Sequence, residues 1–181
     1  MWRPTRRQLL AAFVSVVLAS CLAPAPLLNS ERIEQTFGSY GIEVLESDGT
    51  VRVSNLYSLE GDQRICRTFA AVRYPAEIDP RFATEHELIL DGGSIGAVFK
   101  QRGWAVNKSH RHFGEVTATP RVAELMGGVE APRLAIHIYM LEVVKGDAAF
   151  EYATIAEIHH PDYLTLDDLR SIYEKTGSDT D

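Results

Sequence analysis

The sequence lacks the features that define several common classes of protein. Only two of its 181 residues are cysteine, which excludes a scaffold built from disulfides and a cysteine-rich zinc module. A formal net charge of −7 argues against a nucleic-acid binder, which needs a basic surface. The longest apolar run, Leu9 to Ala19, is interrupted only by Ser15 and is well short of the roughly 20 residues of a membrane-spanning helix.

Motifs for nucleotides, metals and covalent catalysis are scarce as well. The chain has no P-loop and no G-x-G-x-x-G fingerprint. Zinc would need three or four converging ligands, whereas only His110-x-His112 and His159-His160 place imidazoles close together in sequence. Cys66 has no identifiable partner base. We therefore expect no metal, no cofactor and no thiol nucleophile.

The first twenty residues differ from the rest of the chain in charge. They contain three arginines and no acidic residue, while the remaining residues carry 15 basic side chains against 25 acidic ones. A short basic start followed by an apolar run of this length is typical of an export signal. Leu18-Ala19-Ser20-Cys21 comes next and resembles the lipobox of bacterial lipoproteins, whose cysteine is lipidated and becomes the first residue of the mature chain.

The lipobox resemblance implies a signal peptide at residues 1–20, a lipidated Cys21 and a tether up to residue 29. It predicts a protein of the bacterial cell envelope, held at a membrane by its lipid, and Leu22 in place of an aspartate favours the outer membrane. The alternatives are an uncleaved signal anchor or an apolar N-terminal core helix, with a cytoplasmic location. The segment 5–10 also resembles a twin-arginine motif, so the route of export stays open.

Residues 30–176 are predicted to form one α+β domain and a monomer, followed by a disordered tail at residues 177–181. Alternating apolar patterns predict strands at residues 50–59, 64–74, 134–144 and 150–159 and a short one at residues 42–44, which a turn at residues 47–49 separates from the next. Helix start signals occur at Ser30, Pro80, Ser94 and Thr165. Residues 104–132 are predicted to be irregular. Because hairpins dominate over strand–helix–strand units, we expect an antiparallel sheet with helices packed on one face.

Two charged residues occupy strand positions that ought to be apolar. Alternation places Arg67 on the same face as Ile65 and Phe69, and Glu157 on the same face as Ile155. A buried charge is costly unless it is paired or serves a ligand. Either Arg67 and Glu157 pair with each other or face water, or they mark a closed pocket with a cation at one end and a carboxyl at the other.

Three segments, in order, resemble the chorismate lyase family. The first is Cys66-Arg67-Thr68-Phe69-Ala70-Ala71-Val72, where the family has an Arg-Thr pair followed by apolar residues and a proline. The second is Gly93–Phe99, where the family begins a helix with Pro-Leu-Gly-x-x-Leu-Phe. The third is Ala156–Leu164, where the family has a strand glutamate followed by a proline and Leu-Tyr. Residues 115–132 look like an insertion, and the helix after the last strand is an addition.

The resemblance implies an antiparallel sheet whose helices close over a buried ligand, without a cofactor. It gives Arg67 the role of binding the carboxylate of an aromatic ligand. It gives Glu157 the role of the catalytic acid or base, and burial predicts a raised pKa for this carboxyl group. Ile95 and Gly96, at the helix start, complete the expected substrate-binding residues. The family's reaction expels pyruvate from chorismate and leaves 4-hydroxybenzoate.

The predicted location and the family resemblance conflict. Chorismate is a cytosolic metabolite, whereas a lipoprotein is exported from the cytosol. Three functions stay open. The first is a lipid-anchored envelope protein whose chorismate-lyase-like domain binds or processes a small aromatic or other carboxylate. The second is an active, cytoplasmic chorismate lyase whose N-terminus is no export signal. The third is a structural or assembly lipoprotein without enzymatic activity.

Overall fold

The computed structural model of the protein describes residues 27–130 and 133–173. The predicted signal peptide, the lipidation site Cys21 and the predicted tail at residues 177–181 lie outside the described residues. None of the helices in the described part is long and apolar enough to cross a membrane.

Within residues 27–130 and 133–173, six antiparallel strands form a single sheet at the centre of the domain. They are β1 (Gly41–Ser47), β2 (Val51–Glu60), β3 (Gln63–Arg73), β4 (Ala105–Thr117), β5 (Arg133–Lys145) and β6 (Ala148–His159). Their order across the sheet is β1-β2-β3-β6-β5-β4, so the pairing of β3 with β6 joins two three-stranded halves. The predicted α+β class with an antiparallel sheet is confirmed, and so are the two hairpins β2–β3 and β5–β6.

Five helices complete the part of the domain that the structure describes. They are α1 (Asn29–Phe37), α2 (Ala83–Leu90), α3 (Ile95–Gln101), α4 (Pro120–Leu125) and α5 (Leu166–Tyr173), with a 3-10 turn at Pro80–Phe82 before α2. Four of them pack on the front face of the sheet, which carries Ala70, Ala135 and Tyr139. The fifth, α4, lies on the back face.

Helix α4 corrects the expectation that all helices pack on one face. Met126, directly after this helix, is buried in a cluster with Cys66 and Leu134, against which Phe69 also packs. These strand residues place apolar side chains on the back face, so a further element has to pack on that end of the sheet to shield them from water. Helix α4 and Met126 form this element.

Strand β4 occupies a region that we predicted to be irregular. Its centre, from Lys108 to His112, is polar, and the pairing with β5 shifts register between His110 and His112. An edge strand tolerates polar side chains because one side is open to water, and a bulge interrupts the alternation by which strands are recognised. Both effects remove the sequence signal of a strand.

The start of α1 is held against α3. The helix begins at Asn29, before the predicted cap Ser30, and the Leu28 amide donates to Glu31 Oε2 at 2.8 Å. Glu31 also forms an ion pair with Lys100 of α3. These contacts hold the N-terminal end of α1 against α3 over the front face.

An aromatic cluster packs between the sheet and helices α2 and α3. Phe99 of α3 meets Tyr152 of β6 edge-on, with ring centroids 4.8 Å apart, and Phe82 contacts both rings. Edge-to-face packing of this kind adds to the stabilisation from apolar burial. It fixes the loop between the two helices, which leads to the site described next.

Candidate functional site

A cavity of about 70 Å³ lies between the front face of the sheet and the N-terminal ends of α1 and α3. Its inner walls are buried and apolar, formed by Leu56, Ala70, Val72, Leu141 and Ile155. Its partly exposed rim includes Ser30, Tyr40, Ile42, Ser94, Ile95 and Gly96. The exposure of the rim places the opening to solvent between α1, β1 and α3.

Two of the residues predicted to bind substrate, Ile95 and Gly96, belong to this rim. A Cβ atom at Gly96 would lie 2.4 Å from Leu28 Cδ1. A side chain at residue 96 would therefore force the Leu28 side chain, which also lines the cavity, to move.

Arg52 of β2 brings a buried positive charge to the cavity. It is 1% exposed, and its Nη1 donates to the carbonyl oxygens of Ile89 at 2.8 Å and Gly93 at 2.9 Å, while Nε donates to Ser54 Oγ at 3.1 Å. These bonds fix the guanidinium rigidly, but none of them neutralises its charge. Among the described residues no carboxylate forms an ion pair with Arg52.

Two buried polar atoms of the cavity residues have no hydrogen-bond partner in the described part of the chain. Arg52 Nη2 and the Tyr40 hydroxyl are both buried and lack a hydrogen bond of good geometry to any described residue. Ser94 is the polar neighbour of Tyr40, and Tyr74 that of the guanidinium. Buried donors without acceptors are rare in native proteins and call for a specific explanation, which a bound anion would provide.

Glu157 lines the cavity among the other charged groups. It is 5% exposed, its Oε1 accepts a hydrogen bond from the Tyr139 hydroxyl at 3.1 Å, and its Oε2 lies 3.6 Å from Lys108 Nζ. Lys108, which lines the cavity too, also lies over the Tyr139 ring, with Nζ 4.4 Å from its centroid. Glu157 and Lys108 thus form a buried ion pair.

The expectation of a raised pKa for Glu157 is wrong. Burial raises the pKa of this carboxyl group, but Lys108, His159, His137 and the Tyr139 hydroxyl together lower it further, so it ends below its ordinary value. Burial correspondingly lowers the pKa of Lys108, and Glu157 more than restores it. Glu157 is therefore ionised at neutral pH, as a base or a hydrogen-bond acceptor rather than an acid.

Arg67 lies outside the cavity, although the sequence analysis placed it opposite Glu157 in one pocket. The β2–β3 register shifts between Leu56 and Tyr57, so Arg67 is an extra residue in β3. This bulge turns Arg67 toward α1, where its guanidinium lies 3.8 Å from the Phe37 ring centroid. It pairs with Glu60. Arg67 and Glu157 therefore share no pocket in this structure, and they do not pair with each other.

The histidines do not converge. The bulge in β4 separates His110 and His112, which we considered on one strand face, because they pair with neighbouring residues of β5 that point to opposite faces. His110 Nδ1 lies 2.8 Å from His137 Nε2. Within residues 27–130 and 133–173 no group of three or more His, Cys, Asp or Glu side chains could hold a metal ion.

Burial keeps the inner histidines neutral. It lowers the pKa of His137 to about 3 and that of His159 to about 4. Asn29 Nδ2 donates to Thr68 Oγ1 at 3.1 Å, and the same hydroxyl is hydrogen-bonded to His159 Nδ1 at 3.0 Å. This chain of bonds anchors Asn29, a cavity residue, to the sheet.

Ser94 is not placed as a catalytic nucleophile. Gly92-x-Ser94-x-Gly96 has the spacing of a nucleophile elbow, but it connects α2 with α3. The elbow of the hydrolases needs a strand that runs into a tight turn and a helix. Ser94 therefore contributes a hydroxyl to the rim of the cavity rather than an activated oxygen.

Two of the three charged residues that line the cavity in the described part of the chain, Arg52 and Lys108, were not predicted from the sequence. Arg52 lies in the predicted strand at residues 50–59, and its alternation with Ser54 and Leu56 on one face was an available signal. Lys108 lies in the segment predicted to be irregular, where no pattern assigned it to a face. No protein-family model matches this chain, and no curated protein matches its sequence.

Proposed function

We propose that the domain binds a small organic anion with a single carboxylate in this cavity. The observation that carries the proposal is the balance of charge: among the described residues that line the cavity, Arg52 and Lys108 supply two positive charges and Glu157 supplies one negative charge. An uncompensated buried charge is costly, and one ligand carboxylate neutralises the remainder. The apolar walls suit an aromatic or aliphatic body.

Arg52 takes the carboxylate in this proposal, the role that the family resemblance gave to Arg67. Its planar guanidinium matches the geometry of a carboxylate, and Tyr40, which lines the same cavity, has a buried hydroxyl that can donate as well. Glu157, among the other polar groups of the cavity, is available to accept a hydrogen bond from a ligand hydroxyl.

We further propose that the chain is a lipid-anchored envelope protein with a chorismate-lyase-like domain. Support comes from the lipobox resemblance at Cys21, the antiparallel sheet with helices over a cavity, and the presence of Glu157, Ile95 and Gly96 in its lining. The cavity weighs against a purely structural role. Active chorismate lyase is the runner-up, because Glu157 lines the cavity.

Binding is tested with two ligands of the same shape and different charge. We expect the purified full-length protein to bind benzoate and 4-hydroxybenzoate by isothermal titration calorimetry, because Arg52 requires an anion. Benzamide, the neutral counterpart of benzoate, should bind at least tenfold more weakly. Equal affinity for benzamide and benzoate contradicts the proposal, and release of pyruvate from added chorismate favours the lyase.

The anchor is tested at its cysteine. We expect the natural chain to sediment with membranes and to incorporate labelled palmitate, because lipid chains hold it there. The Cys21→Ala variant should lose the label, whereas Cys66→Ala, which removes the other thiol, should keep it. Palmitate labelling that survives the loss of Cys21 rules out this anchor.

A further inference from the structure

Glu157 is the only acidic residue among the described side chains that line the cavity. Its side chain is 6% exposed, and the Lys108 side chain, its partner across 3.6 Å, is 10% exposed. The Tyr139 hydroxyl donates to the other carboxylate oxygen. The charges of Glu157 and Lys108 are thus paired within the protein.

The two cations of the cavity therefore differ in what they can offer a ligand. Lys108 already has a carboxylate, whereas Arg52 forms no ion pair with a described residue and keeps a buried Nη2 without a hydrogen bond. A ligand with one carboxylate can satisfy Arg52. A second ligand carboxylate near Lys108 would meet the carboxylate of Glu157, and like charges in a desolvated site cost several kcal/mol.

We infer that Glu157 determines ligand charge: it occupies the place of a second ligand carboxylate and so restricts the cavity to monocarboxylates. The inference rests on the proposed function and names its ligand class more narrowly. Specificity of this kind comes from a repulsive group as much as from an attractive one. Removing Glu157 should therefore change the preferred class of ligand rather than simply weaken binding.

The experiment compares benzoate with benzene-1,4-dicarboxylate, which share a ring and differ by one carboxylate. We expect calorimetry on the natural full-length protein to give at least tenfold tighter binding of benzoate. In Glu157→Ala the order should reverse by at least tenfold, because Lys108 then lacks a counter-ion, Tyr139 lacks its acceptor, and the truncated side chain leaves room for a second ligand carboxylate.

The matched control is Glu151→Ala, on the same strand. Glu151 also pairs with a cation, Arg111 at 3.8 Å, but both side chains are more than half exposed and neither lines the cavity. This variant should keep the preference of the natural protein. If Glu151→Ala also reverses the preference between the two ligands, the inference is overturned, because the preference then does not depend on a cavity residue.

The remaining outcomes are separable. A natural protein that binds neither ligand overturns the proposed function and this inference with it. Benzoate binding by the natural protein, with unchanged preference in folded Glu157→Ala, overturns the inference alone. If Glu157→Ala does not fold, Glu157→Gln replaces it, because glutamine keeps the side-chain volume. This variant must reduce the preference for benzoate over benzene-1,4-dicarboxylate at least tenfold. An unchanged ratio of the two affinities overturns the inference.

Discussion

Replacing Arg52 by methionine is expected to lower the free energy of unfolding by about 3 to 5 kcal/mol and to abolish benzoate binding. The guanidinium donates to Ser54 Oγ and to the carbonyl oxygens of Ile89 and Gly93. Hydrogen bonds to charged groups contribute roughly 1.5–3 kcal/mol each, and buried acceptors left without donors add a penalty. Methionine fills much of the volume but supplies neither the donors nor the charge.

Urea unfolding and calorimetry with benzoate measure the two effects separately. Arg73→Met, on the neighbouring strand β3, is the control, because Arg73 is exposed and its loss should change stability by less than about 0.5 kcal/mol. Arg52→Lys keeps the charge without the planar fork, and should weaken benzoate binding at least tenfold. Unchanged benzoate affinity in Arg52→Lys and in any folded Arg52→Met would exclude Arg52 as the carboxylate-binding residue.

Replacing Lys108 by methionine should cost about 3 to 5 kcal/mol at neutral pH, because it leaves Glu157 as an unpaired buried charge. The dependence on pH should also reverse. In the natural protein the pKa of Glu157 is lowered, so its contribution is full above the ordinary carboxyl pKa and is lost as the pH falls through the lowered value. Without Lys108, burial raises this pKa, and acidification should recover stability.

A double-mutant cycle checks the origin of this loss. Lys108→Met combined with Glu157→Gln should recover most of the stability, because the neutral amide still accepts from Tyr139 and no charge stays unpaired. Urea unfolding at several pH values measures each variant. Arg111→Met, which breaks the exposed pair with Glu151, should cost less than about 1 kcal/mol. A loss that is the same at every pH and persists in the double variant would show that packing alone is responsible.

Much of the architecture could be predicted because it follows from local patterns. The hairpins β2–β3 and β5–β6 combine alternating side chains with tight turns at Gly61 and Gly146, both of which adopt positive φ. Strand β4 was missed because an edge position tolerates polar residues and the bulge near Arg111 interrupts alternation. The position of α4 on the back face was missed because packing across a sheet has no local signal.

By itself the sequence determined the antiparallel α+β class and the anomaly at Glu157, a charge on a strand whose neighbours are apolar. Only the tertiary structure decided which cations share the cavity with it. One bulge moves Arg67 to Glu60, and the pairing of β4 with β5 and β5 with β6 brings Lys108 to Glu157. A bulge reverses the face of every residue beyond it, and strand pairing joins residues distant in sequence. The charge of the cavity is therefore a property of the fold.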